Sequence, residues 1–483
     1  MTVEQHSAPA GQDGAPAGHD RTASAHGQLL AKDARHVLHP WADLSTLGKE
    51  DSLVISGAQG VEVVDSQGRR YLDAIGGMWC VTVGYGREEL VEAMAAQARR
   101  MPYFTPFGDV ANEPAIELAA QLAALAPGDL NRVHFTTGGS TAVESAVRIA
   151  HLYNAARGLP DKRHVLSRVD AYHGSTYLAA SLSGKEADRV RFHYEDRWVH
   201  HLESPGYDPD NSPLSAADRL AGLIAGMEAA ITGIGPENLA CFIAEPVLAS
   251  GGVLVPPPGY HQATRELCRR HDILYISDEV VTGFGRLGHF FASQDKFGIV
   301  PDMITTAKGL TSGYQPLGAV LISDRVADVL TETADPGKPV FSNGFTYSGH
   351  PVACATALAN IEVMRREDIC GHVREVGPYF VNRLRELRSS PIVHAVRGDH
   401  LMACVECHVP GETGPTPRNM ALAHRVDTYC EAGGLLVRPY ENLCIMSPPL
   451  VVGKDEIDRI VDIMAAALAR AEEDLRAGTV DAG

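Results

Sequence analysis

The chain has 483 residues, 45% of them apolar and 21% charged, proportions of a soluble globular protein long enough for two or three domains. Its formal net charge of −18 argues against nucleic acid or an anionic membrane as a partner, because a phosphate-bearing surface calls for a basic face. No run of about 18 apolar residues occurs, so no membrane-spanning helix is predicted. The nine cysteines, an odd number scattered along the chain, suit a reduced, cytoplasmic thiol set better than a disulfide framework.

The opening stretch, MTVEQHSAPAGQDGAPAGHDRTASAHG, lacks the apolar segment of a secretory signal. Its Ala, Gly, Pro and Asp content buries too little surface to order it, so residues 1–35 read as a flexible arm. Around residues 50–75, apolar and polar residues alternate about Gly and Ser-Gln-Gly turns, the pattern of a small antiparallel meander. Helical periodicity follows in REELVEAMAAQARRM and EPAIELAAQLAALAP. From residue 132 apolar strands are predicted at 132–136, 164–169, 239–247, 272–280, 302–307 and 317–323, with helical stretches between most of them. Such alternation means an α/β fold with a mostly parallel sheet. A long helical segment, HPVACATALANIEVMRRE, and a strand-and-helix C-terminal part complete the chain. The architecture implied is a large α/β domain over 101–344 and a smaller α/β domain built from both ends of the chain, 36–100 and 345–483.

Two motifs compete with other readings. Cys404-Val405-Glu406-Cys407-His408 contains C-x-x-C beside a histidine, but the surrounding HLMACVEC alternates as a strand, which places the two cysteines on opposite faces and argues against a shared metal. Gly283-Phe284-Gly285-Arg286-Leu287-Gly288 is a literal G-x-G-x-x-G. A dinucleotide fingerprint needs its first glycine at the strand end and a helix starting at the third. Here Asp278 to Thr282 intervene, two carboxylates would repel a pyrophosphate, and HFFASQ carries no helix-start pattern. The glycines therefore read as a loop, and the acid at the strand's end as the functional group.

In open α/β sheets ligands bind beyond the carboxyl ends of the strands. After the strand at 132–136 comes Thr137-Gly138-Gly139-Ser140-Thr141, small residues opening a helix, where backbone N–H groups and the dipole favour a phosphate. A glycine turn with a simple helix cap is the plainer alternative. Tyr172-His173-Gly174 follows the next strand, Asp278 ends another, and Lys308 closes the apolar MITTA. A lysine that forms an imine, an acid for a pyridine nitrogen and a phosphate cradle together describe pyridoxal phosphate.

Residues from about 40 to 470 resemble the class III, or ω-, aminotransferases among the fold-type I pyridoxal phosphate enzymes. The matching motifs are GMWCVTVGYGREEL, GGSTAVESAVRIA, YHGST, AEPV, SDEVVTGFGRLGHFF, PDMITTAKGL and FTYSGHPVACA. The resemblance implies that Lys308 carries the cofactor and that Asp278 pairs with its ring nitrogen, the two catalytic residues. Tyr172 would stack on the ring and Val280 pack its other face. Gly139, Ser140 and Thr141 would hold the phosphate, with His173 and Glu245 beside the cofactor. Thr346, supplied by the neighbouring subunit, would complete the cradle, making the enzyme a homodimer or a tetramer built from it. Where the family usually shows Ser-Gly-Ser-Glu-Ala, this chain has Gly138-Gly139-Ser140-Thr141-Ala142, so one hydroxyl has moved.

For the substrate, Trp79, Tyr103 and Phe104 resemble pocket residues of the ω-amino acid:pyruvate branch, and Arg438 its mobile arginine for the acceptor's carboxylate. A core tryptophan and a surface pair with Glu441 are the plainer readings of Trp79 and Arg438. The expected reaction is ping-pong transfer of an amino group from β-alanine, taurine, 4-aminobutyrate, a polyamine or an arylalkyl amine to a 2-oxo acid, with pyruvate as the expected acceptor. An aminomutase or decarboxylase on the same scaffold, or a non-catalytic pyridoxal phosphate-binding protein, are the alternatives.

Overall fold

The computed structural model describes residues 25–46, 48–49, 52–332 and 341–480. Of the expected N-terminal arm, residues 1–24 lie outside the described residues, while Ala25–His36 is an α-helix. The described residues divide into two compact units, 25–57 with 63–70, and 58–62 with 71–480. Within the first, Asp33 accepts from Ser52 Oγ at 2.5 Å and lies 3.0 Å from His39 Nε2. Asp65 Oδ1 accepts from the backbone N–H of Gln67 and Arg69, both at 2.9 Å, which closes the Ser66-Gln67-Gly68 turn expected from the sequence. Three short strands, β1 (Ile55–Gln59), β2 (Glu62–Asp65) and β3 (Arg70–Asp73), occupy the predicted meander.

The second unit is organised by a seven-stranded sheet. Its strands are β4 (Arg132–Thr136), β5 (His164–Arg168), β6 (Val199–Leu202), β7 (Leu239–Ala244), β8 (Leu274–Asp278), β9 (Met303–Thr306) and β10 (Gly318–Ile322), in the order β4-β10-β9-β8-β7-β5-β6. From β9 through β8, β7 and β5 to β6 every pairing is parallel. β10 runs antiparallel to both β9 and β4, so two reversals cancel and β4 points the same way as the others. Six carboxyl ends therefore meet along one edge of the sheet.

The strands read as apolar runs because both faces are covered. Every residue of β7 is buried, and period 2 sends Cys241 and Ile243 to one side, Phe242 and Ala244 to the other. On the first side they meet Ala142, Val143, Ala146 and Val147 of the helix Gly139–Ala156. On the second they meet Met227 and Ile231 of Ala216–Ile234 and Leu267 of Tyr260–Arg270. This is the expected α/β, fold-type I arrangement. β6, Val-His-His-Leu, has no apolar run and was not among the predicted strands; it forms the sheet's edge, where a half-exposed strand keeps polar side chains.

Further along, β11 (Val393–Asp399), β12 (Met402–Cys407), β14 (Arg438–Tyr440) and β15 (Leu443–Met446) form a four-stranded sheet in the order β11-β12-β15-β14. Ala403, Val405 and Cys407 join one apolar cluster and Met402 and Cys404 another, so the two cysteines do face opposite ways. β13 (Leu435–Leu436) pairs in parallel with β3 through Leu72 and Asp73, tying the C-terminal part of the chain to the N-terminal part of this unit.

Candidate active site

At the strand ends the sheet gathers groups distant in sequence. Asp278, the last residue of β8, is 3% exposed. Its Oδ2 lies 2.6 Å from His173 Nδ1, and its Oδ1 accepts from Thr305 Oγ1 at 3.0 Å and from the N–H of Val280 at 3.2 Å. His173 follows β5, and its backbone N–H is fixed by Ser183 Oγ at 2.8 Å. Glu245, just past β7, is buried and accepts from the N–H groups of Tyr172 (3.0 Å) and Ala249 (3.1 Å). It is thus a backbone clamp that fixes Tyr172 and the turn after β7. Burial raises the Glu245 pKa, and His173 opposes that rise.

Lys308 lies two residues past the end of β9, three positions beyond Thr305, which pairs with Asp278 in the β8–β9 register. It sits at φ +44°, a left-handed backbone that a side-chain-bearing residue adopts only where its surroundings impose it. Burial pushes its amine pKa down, while Cys80, Asp278 and Glu245 act the other way. The shift favours the free amine, the form that can act as nucleophile or base.

The helix Gly139–Ala156 begins in the same place. Its first intrahelical bond is from Ala142 N to Gly138 O at 3.0 Å, so the N–H groups of Gly139, Ser140 and Thr141 precede the ladder and are available to an anion. A side chain at Gly139 would put a Cβ 2.8 Å from Val280 Cγ1; at Gly174, 2.5 Å from Ser140 Oγ. The two glycines let Val280 and the Tyr172–Ser175 loop close on the helix start. Ser140 Oγ accepts from Ser175 N at 3.0 Å, whereas Thr141 Oγ1 turns back to Gly138 O at 2.9 Å. The displaced hydroxyl at position 141 is thus spent on its own loop.

Arg438, on β14, is half-buried and donates to Ser250 Oγ at 3.2 Å rather than pairing with Glu441. Trp79 is 3% exposed and packs with Val247, Ala249, Val253 and Leu287. It ends a turn in which Gly76, Gly77, Met78 and Trp79 all have φ between 54° and 73°. Asp73 braces that turn, accepting from the N–H groups of Ile75, Gly76 and Gly77 at 2.9 Å and from Tyr85 Oη at 2.7 Å. Tyr103 and Thr346 meet each other instead: Tyr103 Oη donates to Thr346 O at 2.6 Å, and the ring lies 5.6 Å from both Tyr347 and His350. Among the described residues no hydrogen bond or ring contact joins this exposed group, or Phe104 beside it, to Lys308 or Asp278.

The G-x-G-x-x-G segment is a loop. Gly285 and Gly288 take φ of +95° and +81°, and the next helix, Ala292–Asp295, has four residues and starts after the third glycine, not at it. Glu279, fully buried beside Asp278, closes the loop by accepting from the N–H of Ala292 (2.6 Å) and Ser293 (3.0 Å) and from Thr282 Oγ1 (3.3 Å). The sequence marked Glu279 only as an acid near Asp278; a partner thirteen residues away carries no local signal.

These groups fit pyridoxal phosphate. A lysine with a lowered pKa, a buried carboxylate for a protonated ring nitrogen, and a helix start cleared by Gly139 stand at one sheet edge. The fold and this edge define a fold-type I pyridoxal phosphate enzyme.

Comparison with known proteins narrows the class. The family model for class III aminotransferases matches residues 46–468. A putrescine–pyruvate aminotransferase of Pseudomonas aeruginosa is 38% identical over 442 residues, spanning 91% of this chain and 95% of its own. The crystal structure of a thermostable (S)-enantioselective ω-transaminase from Thermomicrobium roseum superposes with a TM-score of 0.87 at 40% identity, covering 92% of this chain and 98% of its own. The aminotransferase of Vibrio fluvialis in its PMP-bound form gives 0.87 at 31% identity, over 93% and 99% of the two chains. The chain belongs to the class III aminotransferases and is a pyridoxal phosphate-dependent ω-aminotransferase. Among the described residues no helix is long and apolar enough to cross a membrane.

Because Glu279 satisfies two buried backbone donors, Glu279→Ala should destabilise the protein by about 3 kcal/mol, read as a lowered thermal unfolding midpoint, while Asp278→Asn should move that midpoint far less. Equal midpoints for Glu279→Ala and wild type would remove the loop-closing role.

Proposed function

We propose that the protein transfers an amino group from an ω-amino acid or simple amine to pyruvate, with Lys308 and Asp278 as its catalytic residues and Arg438 as the acceptor's carboxylate site. The observation that carries this reading is the placement of Asp278 at the end of β8 and Lys308 two residues past the end of the adjacent parallel strand β9, with the acid buried and the amine pKa depressed. When bound, pyridoxal phosphate supplies an electron sink for the carbanion formed at the substrate carbon. Asp278 holds the proton on the ring nitrogen, and His173 and Thr305 keep its carboxylate oriented toward it. The Lys308 amine takes the proton from the substrate carbon and returns it on the other side of the reaction. Gly139, Ser140 and Thr141 contribute N–H groups to the phosphate, while Tyr172 and Val280 bound the ring.

A guanidinium whose nearest partner is a neutral hydroxyl is free to take a carboxylate in bidentate fashion. The relative in Pseudomonas aeruginosa is named for putrescine and pyruvate, which supports a polyamine among the donors and pyruvate as acceptor. A donor screen with pyruvate and 2-oxoglutarate, following amino acid products and CO2, identifies the pair and separates transamination from decarboxylation.

The working unit is a homodimer with shared sites. Support comes from Thr346, displayed beside Tyr103 in a region of exposed aromatic residues (Phe104, Phe107, Phe341, Tyr347), a surface of the kind that marks an interface. The compartment is the cytoplasm, in line with nine cysteines that are all unpaired.

Borohydride treatment of the yellow protein should fix the cofactor on Lys308, located by mass spectrometry of the labelled peptide; a label on another lysine refutes the assignment. Asp278→Asn should retain the fold and lose 10²-fold or more in rate, since electrostatic groups of this kind are commonly worth about 3–4 kcal/mol. A near-wild-type rate there removes the electron-sink support. Arg438→Ala should lower kcat/KM for pyruvate by about 10- to 150-fold, the range of a lost charged hydrogen bond, and affect 1-phenylethylamine, if it is accepted, far less. Equal losses in the two half-reactions would make Arg438 a structural residue.

A further inference from the structure

One buried cation beside this site has no part in the chemistry above. Lys185 is 4% exposed, although lysine is almost never buried without a partner. Its Nζ lies 3.5 Å from the ring centroid of Tyr440, two residues from Arg438 on β14, and 5.9 Å from the ring of Tyr172. Asp188 Oδ2 is 3.1 Å from the same ammonium. The preceding residue, Gly184, is clamped to the end of β5: its N–H donates to Ala171 O at 2.9 Å, and a Cβ there would stand 2.1 Å from Arg168 O. Lys185 is therefore held at a set position beside Tyr172 and Tyr440.

The carboxylate of Asp188 acts electrostatically on both Lys185 and Arg438. It is the acid able to compete with a substrate for the arginine. We propose that Lys185 is a specificity-determining positioning residue: by engaging Asp188 from its seat on Tyr440, it keeps that acid off Arg438 and leaves the guanidinium open to the acceptor's carboxylate. The inference rests on the reading of Arg438 as the acceptor site. Removal of one member of a buried ion pair leaves the other charge seeking a partner, and Arg438, two residues from Tyr440 on β14, is a cation on which Asp188 already acts.

The test follows the two half-reactions of the holoenzyme separately through cofactor absorbance. Lys185→Met should weaken the pyruvate half about tenfold in kcat/KM, chiefly through KM, and weaken the amine-donor half by less. Lys185→Arg should preserve the acceptor half. The deciding variant is Lys185→Met with Asp188→Asn, which should recover most of the pyruvate KM because the competing carboxylate is gone; a packing defect at Lys185 would not be rescued this way. No change in Lys185→Met, or no recovery in the double variant, overturns the proposal. Arg438→Ala in the same series separates the two ideas. If it impairs pyruvate use while Lys185→Met does not, only the role of Lys185 fails; if it leaves pyruvate use intact, the acceptor-site reading fails and the role of Lys185 with it.

Discussion

A carboxylate withdrawn from water is tolerated only where hydrogen-bond donors replace the water it has lost. Asp278 meets that condition through three partners from different parts of the chain: His173 beyond β5, Thr305 on β9 and the N–H of Val280 in its own turn. The parallel register of β5, β7, β8 and β9 is what brings these partners to one place. A slip of one residue in any of them would turn the relevant side chain to the opposite face. The local arrangement of the edge, with Glu245 fixing Tyr172 and Lys308 following β9, depends on the same register.

The two acids of the Asp278-Glu279 pair show how burial divides labour between neighbours. Successive residues at a strand's end point opposite ways. Asp278 faces the edge where His173 waits, and Glu279 turns to the loop and binds the N–H groups of Ala292 and Ser293. The glycines of the intervening loop serve backbone geometry: Gly283 approaches Glu279 O so closely that a Cβ would stand at 2.7 Å, and Gly285 and Gly288 take positive φ. A string identical to a nucleotide-binding fingerprint is here a structural turn, because its first glycine is not at the strand end and no helix starts at its third.

Charge is apportioned with similar economy around Arg438. Two cations, Arg438 and Lys185, stand near the candidate pocket, yet one is matched to a hydroxyl and the other to an acid and an aromatic face. The separate Tyr103–Thr346 group has no hydrogen bond or ring contact to Lys308 among the described residues.

By itself the sequence determined the strand-and-helix alternation, the positions of six strands, and the residues at their carboxyl ends, because strands covered on both faces must be apolar throughout and end abruptly at polar groups. Lys308, Asp278 and the Gly139 turn were legible for that reason, and the opposite facing of Cys404 and Cys407 followed from period 2 alone. Edge strand β6 escaped because half-exposed strands carry no such run. Only the tertiary structure decided that Trp79 is buried, that Arg438 donates to Ser250, that Glu279 closes a loop, and that Lys185 lies under Tyr440. Each is a contact between residues that lie far apart in sequence or carry no periodic signal, and no pattern of local spacing encodes which surfaces a folded sheet brings together.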